Sequence, residues 1–258
     1  MNFTAALLAN TALEPRTGRL GEVLVYIGLG VVALIAAFLV FFVIVCLCEK
    51  QYLAGDVEQV QGPLPYPPSP YWIQTRERAA RIGLWHAGDF ATRKNTSLVK
   101  GLETLYFSSD HQVLASIVGG SSAIGKTKKT VLRTRLADGR ILESTDSPIN
   151  RDVTGGIKCA VLLNAGIEEL LNFHRQRINS AGSSPVPFNG NAALDESERI
   201  QLGRGERLVA AQLANWANRE QTCIRLTFRG AIAYVKDMFA HMGQLENQKM
   251  RIDIKRAG

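Results

Sequence analysis

The chain has 258 residues, 46% of them hydrophobic, with 30 Lys and Arg against 23 Asp and Glu and a formal net charge of +7. That length and apolar content exclude a mini-protein and a disordered chain, and only four cysteines exclude a disulfide scaffold. The charge is uneven: residues 1–70 hold 3 Lys and Arg against 5 Asp and Glu, and residues 71–258 hold 27 against 18.

Residues 1–22 form a mixed N-terminal tail. Residues 23–48, "VLVYIGLGVVALIAAFLVFFVIVCLC", then run without a charge. At 1.5 Å per residue such a helix reaches about 39 Å, more than a bilayer core of about 30 Å, so the run reads as a single transmembrane helix. A cleaved signal peptide fits less well, because the run is too long for its apolar region and no small-x-small site follows before Glu49. Arg76, Arg78 and Arg81 form the next basic cluster, on the C-terminal side, and the expected arrangement is a cell-membrane protein with a cytoplasmic C-terminal domain. Cys46 and Cys48 read as apolar filler at the end of the run.

Residues 49–70 read as a juxtamembrane spacer. Five prolines between Pro63 and Pro70 favour extended polyproline II, which holds a domain off the bilayer. The soluble domain, residues 71–258, opens with a helix beginning near Ser69 or Pro70 and ending by Gly83, with Ile73, Ala80 and Ile82 expected inward. "HAGDF" reads as a turn in which Asp89 caps and His86 is half-exposed.

Two hairpins are expected next. Folding "LETLYFSSDHQVLASIV" about "SSDH" pairs Tyr106 with Val113, Leu105 with Leu114 and Leu102 with Ile117. In "KTVLRTRLADGRILESTD", Asp138-Gly139 reads as a type I′ turn that sets Leu136 opposite Ile141.

From Ile157 the pattern turns helical, with Leu163, Ile167, Leu170, Leu171, His174 and Ile178 on one stripe. A loop, "NSAGSSPVPFNGNA", precedes a helix capped by Asp195 with Glu198 three residues on, and "TCIRLTF" is a short strand. The last element is a helix with an apolar stripe of Ala231, Tyr234, Val235, Met238, Phe239 and Met242, from which Lys236 and Asp237 point away. The stripe reads as core, and the remaining C-terminal residues as a polar tail. The fold class is therefore α+β: a transmembrane helix, then an antiparallel meander of about four strands flanked by helices.

One motif carries chemistry. "GGSSAIGKT" contains G-x-x-x-x-G-K-[ST] from Gly120 to Thr127, directly after an apolar run, and composition alone predicts only about 0.01 such matches. A phosphate-cradling loop would use Gly120, Gly125, Lys126 and Thr127, but it needs a helix starting at the lysine and an acidic strand end for magnesium. β-branched Thr127, Thr130, Val131 and Thr134 argue against the helix, and "CAVLLNAG" ends in Asn164. The stretch reads as a flexible connection between hairpins, promoted to a nucleotide site only if a helix begins at Lys126.

No catalytic set assembles. His86, His111, His174 and His241 are isolated, so neither a metal site nor a cofactor is indicated. A basic domain beside a membrane could meet an anionic lipid or an acidic protein partner, but its basic residues are dispersed and read first as a solvated surface, and no motif points to nucleic acid. The reading is a membrane-anchored, non-enzymatic binding or assembly module, with nucleotide binding or hydrolysis through residues 120–127 as the alternative.

Overall fold

The computed structural model describes residues 17–48, 50–92, 100–122, 125–147 and 152–237. The chain divides into two compact units between Val45 and Cys46. The first is carried by helix α1, Thr17–Cys48. Its apolar run Val23–Cys48 is long enough to cross a membrane, and none of it is buried inside the protein. By length and composition it suits a membrane anchor or a signal sequence.

The second unit is α+β, as expected, but its main sheet has eight strands where about four were anticipated. Seven follow one another in the order β2 (Val57–Gln59), β3 (Trp85–Thr92), β4 (Lys100–Phe107), β5 (Leu114–Ser122), β6 (Gly125–Leu136), β7 (Ile141–Thr145), β8 (Ile157–Val161). The eighth, β9 (Pro185–Val186), pairs with the end of β6. All neighbours are antiparallel except β7 and β8. A second sheet orders β1 (Lys50–Tyr52), β11 (Cys223–Leu226) and β10 (Ala214–Trp216).

The extra strands come from four misread stretches, one of them the expected loop that supplies β9, Pro185–Val186. "HAGDF" lies inside β3, and Ile157–Val161, assigned to a helix, is β8. The helical stripe starts only at α3, Ile167–Asn179, because Asn164 adopts a positive φ of 57° and breaks the chain direction before it. β1 and β2 fall in the expected spacer, and the Tyr66 hydroxyl donates to the Thr92 carbonyl at 3.1 Å, so this segment is built into the unit.

Both hairpins exist with shifted registers. β4 and β5 pair Phe107 with Leu114 and Tyr106 with Ala115, two residues from expectation. The loop is longer because Asp110 accepts from the Ser108 hydroxyl and the Gln112 amide, holding Gln112 out of the strand. An even shift leaves every side chain on its expected face. Between β6 and β7 the slip is one residue, so Arg135, not Leu136, opposes Ile141. Only Gly139 of that turn has positive φ, 83°, whereas a type I′ turn needs two such residues, and a three-residue loop forms instead.

α2, Pro70–Arg81, starts where expected: the Ser69 hydroxyl caps the Trp72 amide at 3.2 Å, and Gly83 follows the end at φ 77°. Its inward face is Trp72, Thr75 and Ala79, while Ile73 and Ala80 are exposed. The indole offers far more apolar area than Ile73 and sets the rotation of the helix. α2 and α3 cover one face of the main sheet, burying Leu102, Ile117, Leu132 and Leu170. α4, Ala193–Ala210, covers the other, over Leu105, Phe107, Leu114 and Phe188, and also packs on β10. Ala192 occupies its N-cap position and makes no side-chain cap; Asp195, the expected cap, lies in the first turn. Residues 228–237 are helical with Ala231 buried, and Met238, Phe239 and Met242 of the expected stripe lie outside the described residues.

Candidate functional site

The glycines of "VGGSS" answer a packing demand. Gly119 lies under the start of α2, where a Cβ would stand 2.8 Å from both the Ser69 Oγ and the Trp72 Cβ. Only glycine lets the capped end of α2 approach the sheet this closely. Its neighbour Gly101 pairs with Gly120, leaving a floor of bare peptide groups. The proline segment crosses above that floor, and between them lies a cavity of ≈ 570 Å³. Tyr66, Pro68 and Tyr71 wall one side; Lys126, Thr127 and Lys128 wall the other. Rigid rings stand over a flat floor, with two exposed lysines, Lys126 and Lys128, at the rim.

Gly120, Lys126 and Thr127 thus share one cavity, but they do not form a phosphate-cradling loop. Gly125 opens strand β6, Gly120 pairs with Thr127, and Ser121 pairs with Lys126 in an antiparallel ladder. No helix begins at Lys126, and the stretch from Gly125 onward is strand where a flexible connection was expected. Side chains alternate along β6, so Lys126 and Lys128 lie on the α2 face and Thr127 on the other. Among the described residues no group of three or more His, Cys, Asp or Glu is placed to hold a metal ion.

At the inner end of the cavity the Tyr71 hydroxyl donates to Asp146 Oδ2 at 2.5 Å and lies 2.6 Å from Thr130 Oγ1. The Thr130 amide donates to Asp146 Oδ1 at 2.7 Å. Burial pushes both the Tyr71 hydroxyl and the Asp146 carboxyl up from their ordinary values. The pair ties the start of α2 to the end of β7, so this groove wall is held by hydrogen bonds.

His86 and Asp89, singled out in the sequence, do meet. His86 Nε2 is 3.3 Å from Asp89 Oδ1, which also accepts from the Thr104 hydroxyl at 2.7 Å, while Arg76 pairs with Oδ2 at 3.0 Å. These groups edge a second cleft of ≈ 410 Å³ under α2, lined also by Tyr106 and Trp72. Burial raises the Tyr106 hydroxyl, an effect opposed by Arg76. Asp89 spends its carboxylate joining α2, β3 and β4, and no Ser, Cys or Lys nucleophile lines the cleft.

The deepest polar groups escaped sequence reading. On the α4 face, Arg133 pairs with Glu143 at 2.9 Å, with side chains only 7% and 3% exposed, and Lys129 is buried beside them. The available signal was Lys129, Arg133 and Arg135 at alternating positions of one strand, which puts cations on a single face. On the opposite face His174 is fully buried, with Nδ1 2.8 Å from the Ser144 Oγ and Nε2 3.0 Å from the Thr134 Oγ1. Its depth leaves no approach for a substrate, so it clamps α3 to β6 and β7.

Burial, helped by the nearby Arg177 charge, pushes His174 down to about 3 from 6.5. The folded protein keeps the imidazole neutral while the unfolded chain protonates it, so this stability is complete above pH 6.5 and lost as the pH falls toward 3. Between pH 6 and 4 the loss is about 1.4 kcal/mol per pH unit. Unfolding midpoints measured across that range should show a flatter pH slope for His174→Gln than for the parent; equal slopes would contradict it.

Comparison with protein-family models, with curated proteins and with solved structures gives no match.

Proposed function

We propose that the protein is a single-pass membrane protein that presents its basic α+β unit at the cytoplasmic face of the cell membrane as a non-enzymatic binding or assembly module. The observation that carries this reading is α1: 26 consecutive uncharged residues, Val23–Cys48, most of them exposed and none fully buried inside the protein. Uncovered apolar surface on this scale demands a partner, and a bilayer is the partner that matches its length and uniformity. The groove under the proline strap supplies a binding site, with Lys126 and Lys128 suited to an anionic lipid or an acidic protein segment. Both polar clusters beside the clefts are engaged in holding elements together, which favours binding over turnover.

Alkaline carbonate extraction of membranes containing the full chain should leave the protein in the pellet, and reporters fused after Gly258 should be active only on the cytoplasmic side. Release into the supernatant would sink the anchored reading. Robust turnover by the purified full chain in a hydrolase and NTPase screen would remove the non-enzymatic one.

A second reading has one observation in its favour: Gly120, Lys126 and Thr127 line the same cavity, so a nucleotide could rest its base against the strap and its phosphates on Lys126 and Lys128. Titrating labelled ATP and GTP with Mg²⁺ decides it. Equal, negligible binding by the parent and Lys126→Ala ends the idea.

A further inference from the structure

The strand after the apolar run determines where the C-terminal helix lies. β1 opens at Lys50, two residues past Cys48, so chain length alone keeps Lys50 within about 7 Å of the end of that run. β1 leads away from that end. β11 pairs with it antiparallel, Lys50 with Arg225 and Tyr52 with Cys223, and therefore travels back toward the end. Arg225, beside Lys50, stands three residues before position 228. The helix of residues 228–237 starts at this point.

That helix is held by one face. The Gly230 amide donates to the Thr227 Oγ1 at 3.1 Å, Ala231 is fully buried, and Arg204 donates to the Tyr234 hydroxyl. At 100° per residue Phe228 and Ile232 fall on the side turned away from Gly230 and Tyr234, with Arg229 and Lys236 alongside. Phe228 is 63% exposed and Ile232 46%, and Arg229 and Lys236 are exposed too. Lys50 and Arg225, cross-strand partners, add two exposed cations next to the helix start. Large apolar side chains one turn apart and rimmed by cations are the composition of a helix that lies in a membrane interface.

We infer that residues 228–237 dock on the anionic surface of the bilayer crossed by residues 23–48, with Phe228 and Ile232 below the headgroups and Lys50, Arg225, Arg229 and Lys236 against their phosphates. The inference rests on the anchored reading above and adds a second, reversible attachment that fixes which face of the unit meets the membrane. Because the tether already supplies a high local concentration, two apolar insertions and a few lysine and arginine contacts suffice.

The test uses the full chain in nanodiscs of phosphatidylcholine with phosphatidylserine, carrying Phe228→Trp or, as a second variant, Ile232→Trp. The readout is the tryptophan emission added over the parent. Both variants should show a blue-shifted added emission that lipids brominated in the upper acyl chain quench, and replacing Arg225 or Arg229 by Gln should lower the ratio of docked to undocked protein about fivefold per charge. Water-like, unquenched added emission from protein that resists carbonate extraction overturns the docking alone. Protein that carbonate extracts removes the anchored reading and the docking together.

Discussion

Glu143→Gln should lower the stability of the folded unit by about 3–5 kcal/mol, seen as a fall of roughly 10 °C or more in melting temperature. Burial by itself would raise the Glu143 carboxyl, but the charges of Arg133 and Lys129 outweigh it and hold the group below its ordinary value. It is the shared anion for two buried cations, and its neutralisation removes the charge that balances both. Burial pushes Lys129 down while Glu143 holds it up, so the lysine depends on the same carboxylate. Arg133→Met removes one cation and leaves Lys129 opposite Glu143, so it should cost less than Glu143→Gln. The reverse order in thermal melts of the two variants would refute this account. The sign with pH is fixed as well: the Glu143 contribution is present above the ordinary carboxylate range and lost as the pH falls through it, below the window in which His174 begins to act.

Gly230→Ala should be the most damaging methyl added to the second unit, at or above the upper end of the roughly 1–3 kcal/mol typical of overpacking. A Cβ there falls inside the van der Waals shell of the Leu213 carbonyl oxygen, and a backbone atom cannot swing aside as a side chain does. The Thr227 amide donates to that same carbonyl at 3.0 Å, so relieving the clash also disturbs the entry to the helix. Gly62→Ala, where a Cβ meets nothing within 4 Å, is the control. Amide exchange across residues 228–237 should speed up in Gly230→Ala and stay unchanged in Gly62→Ala. Unchanged protection in both would show that the helix does not depend on this contact.

Much of the local structure could be read without coordinates. The Ser69 cap, the α3 stripe through Leu170 and Leu171, the β4–β5 hairpin and the short strand at 223–226 are all legible from spacing to within a few residues. His86 and Asp89 were singled out in the sequence as a turn with a capping Asp89, whereas the structure sets both on β3, where they meet. Where reading failed, distant parts of the chain decide the outcome. Ile157–Val161 is a strand because β7 stands parallel beside it, and an apolar run of five residues is equally at home in a helix. Lys126 continues a strand because β5 pairs with it for nine residues, from Ser122–Gly125 to Leu114–Arg133.

The candidate site shows the same division. Gly120, Lys126 and Thr127 were legible as a motif, and their shared cavity is real, yet the reason for the neighbouring Gly119 is a helix end about fifty residues earlier in the chain. Tyr66 and Tyr71, which make the walls, carry no sequence signal beyond their place in a proline segment.

By itself the sequence determined the apolar run of residues 23–48, the basic character of residues 71–258, the α+β class and most helix positions, because run length, charge and periodicity are properties of contiguous residues. Only the tertiary structure decided the eight-strand sheet, the pairing of Lys50–Tyr52 with Cys223–Leu226, the buried Arg133–Glu143 pair and the groove over Gly119. Each of these joins segments far apart in the chain, and such contacts form only when a common core repays the entropy of closing the loop between them.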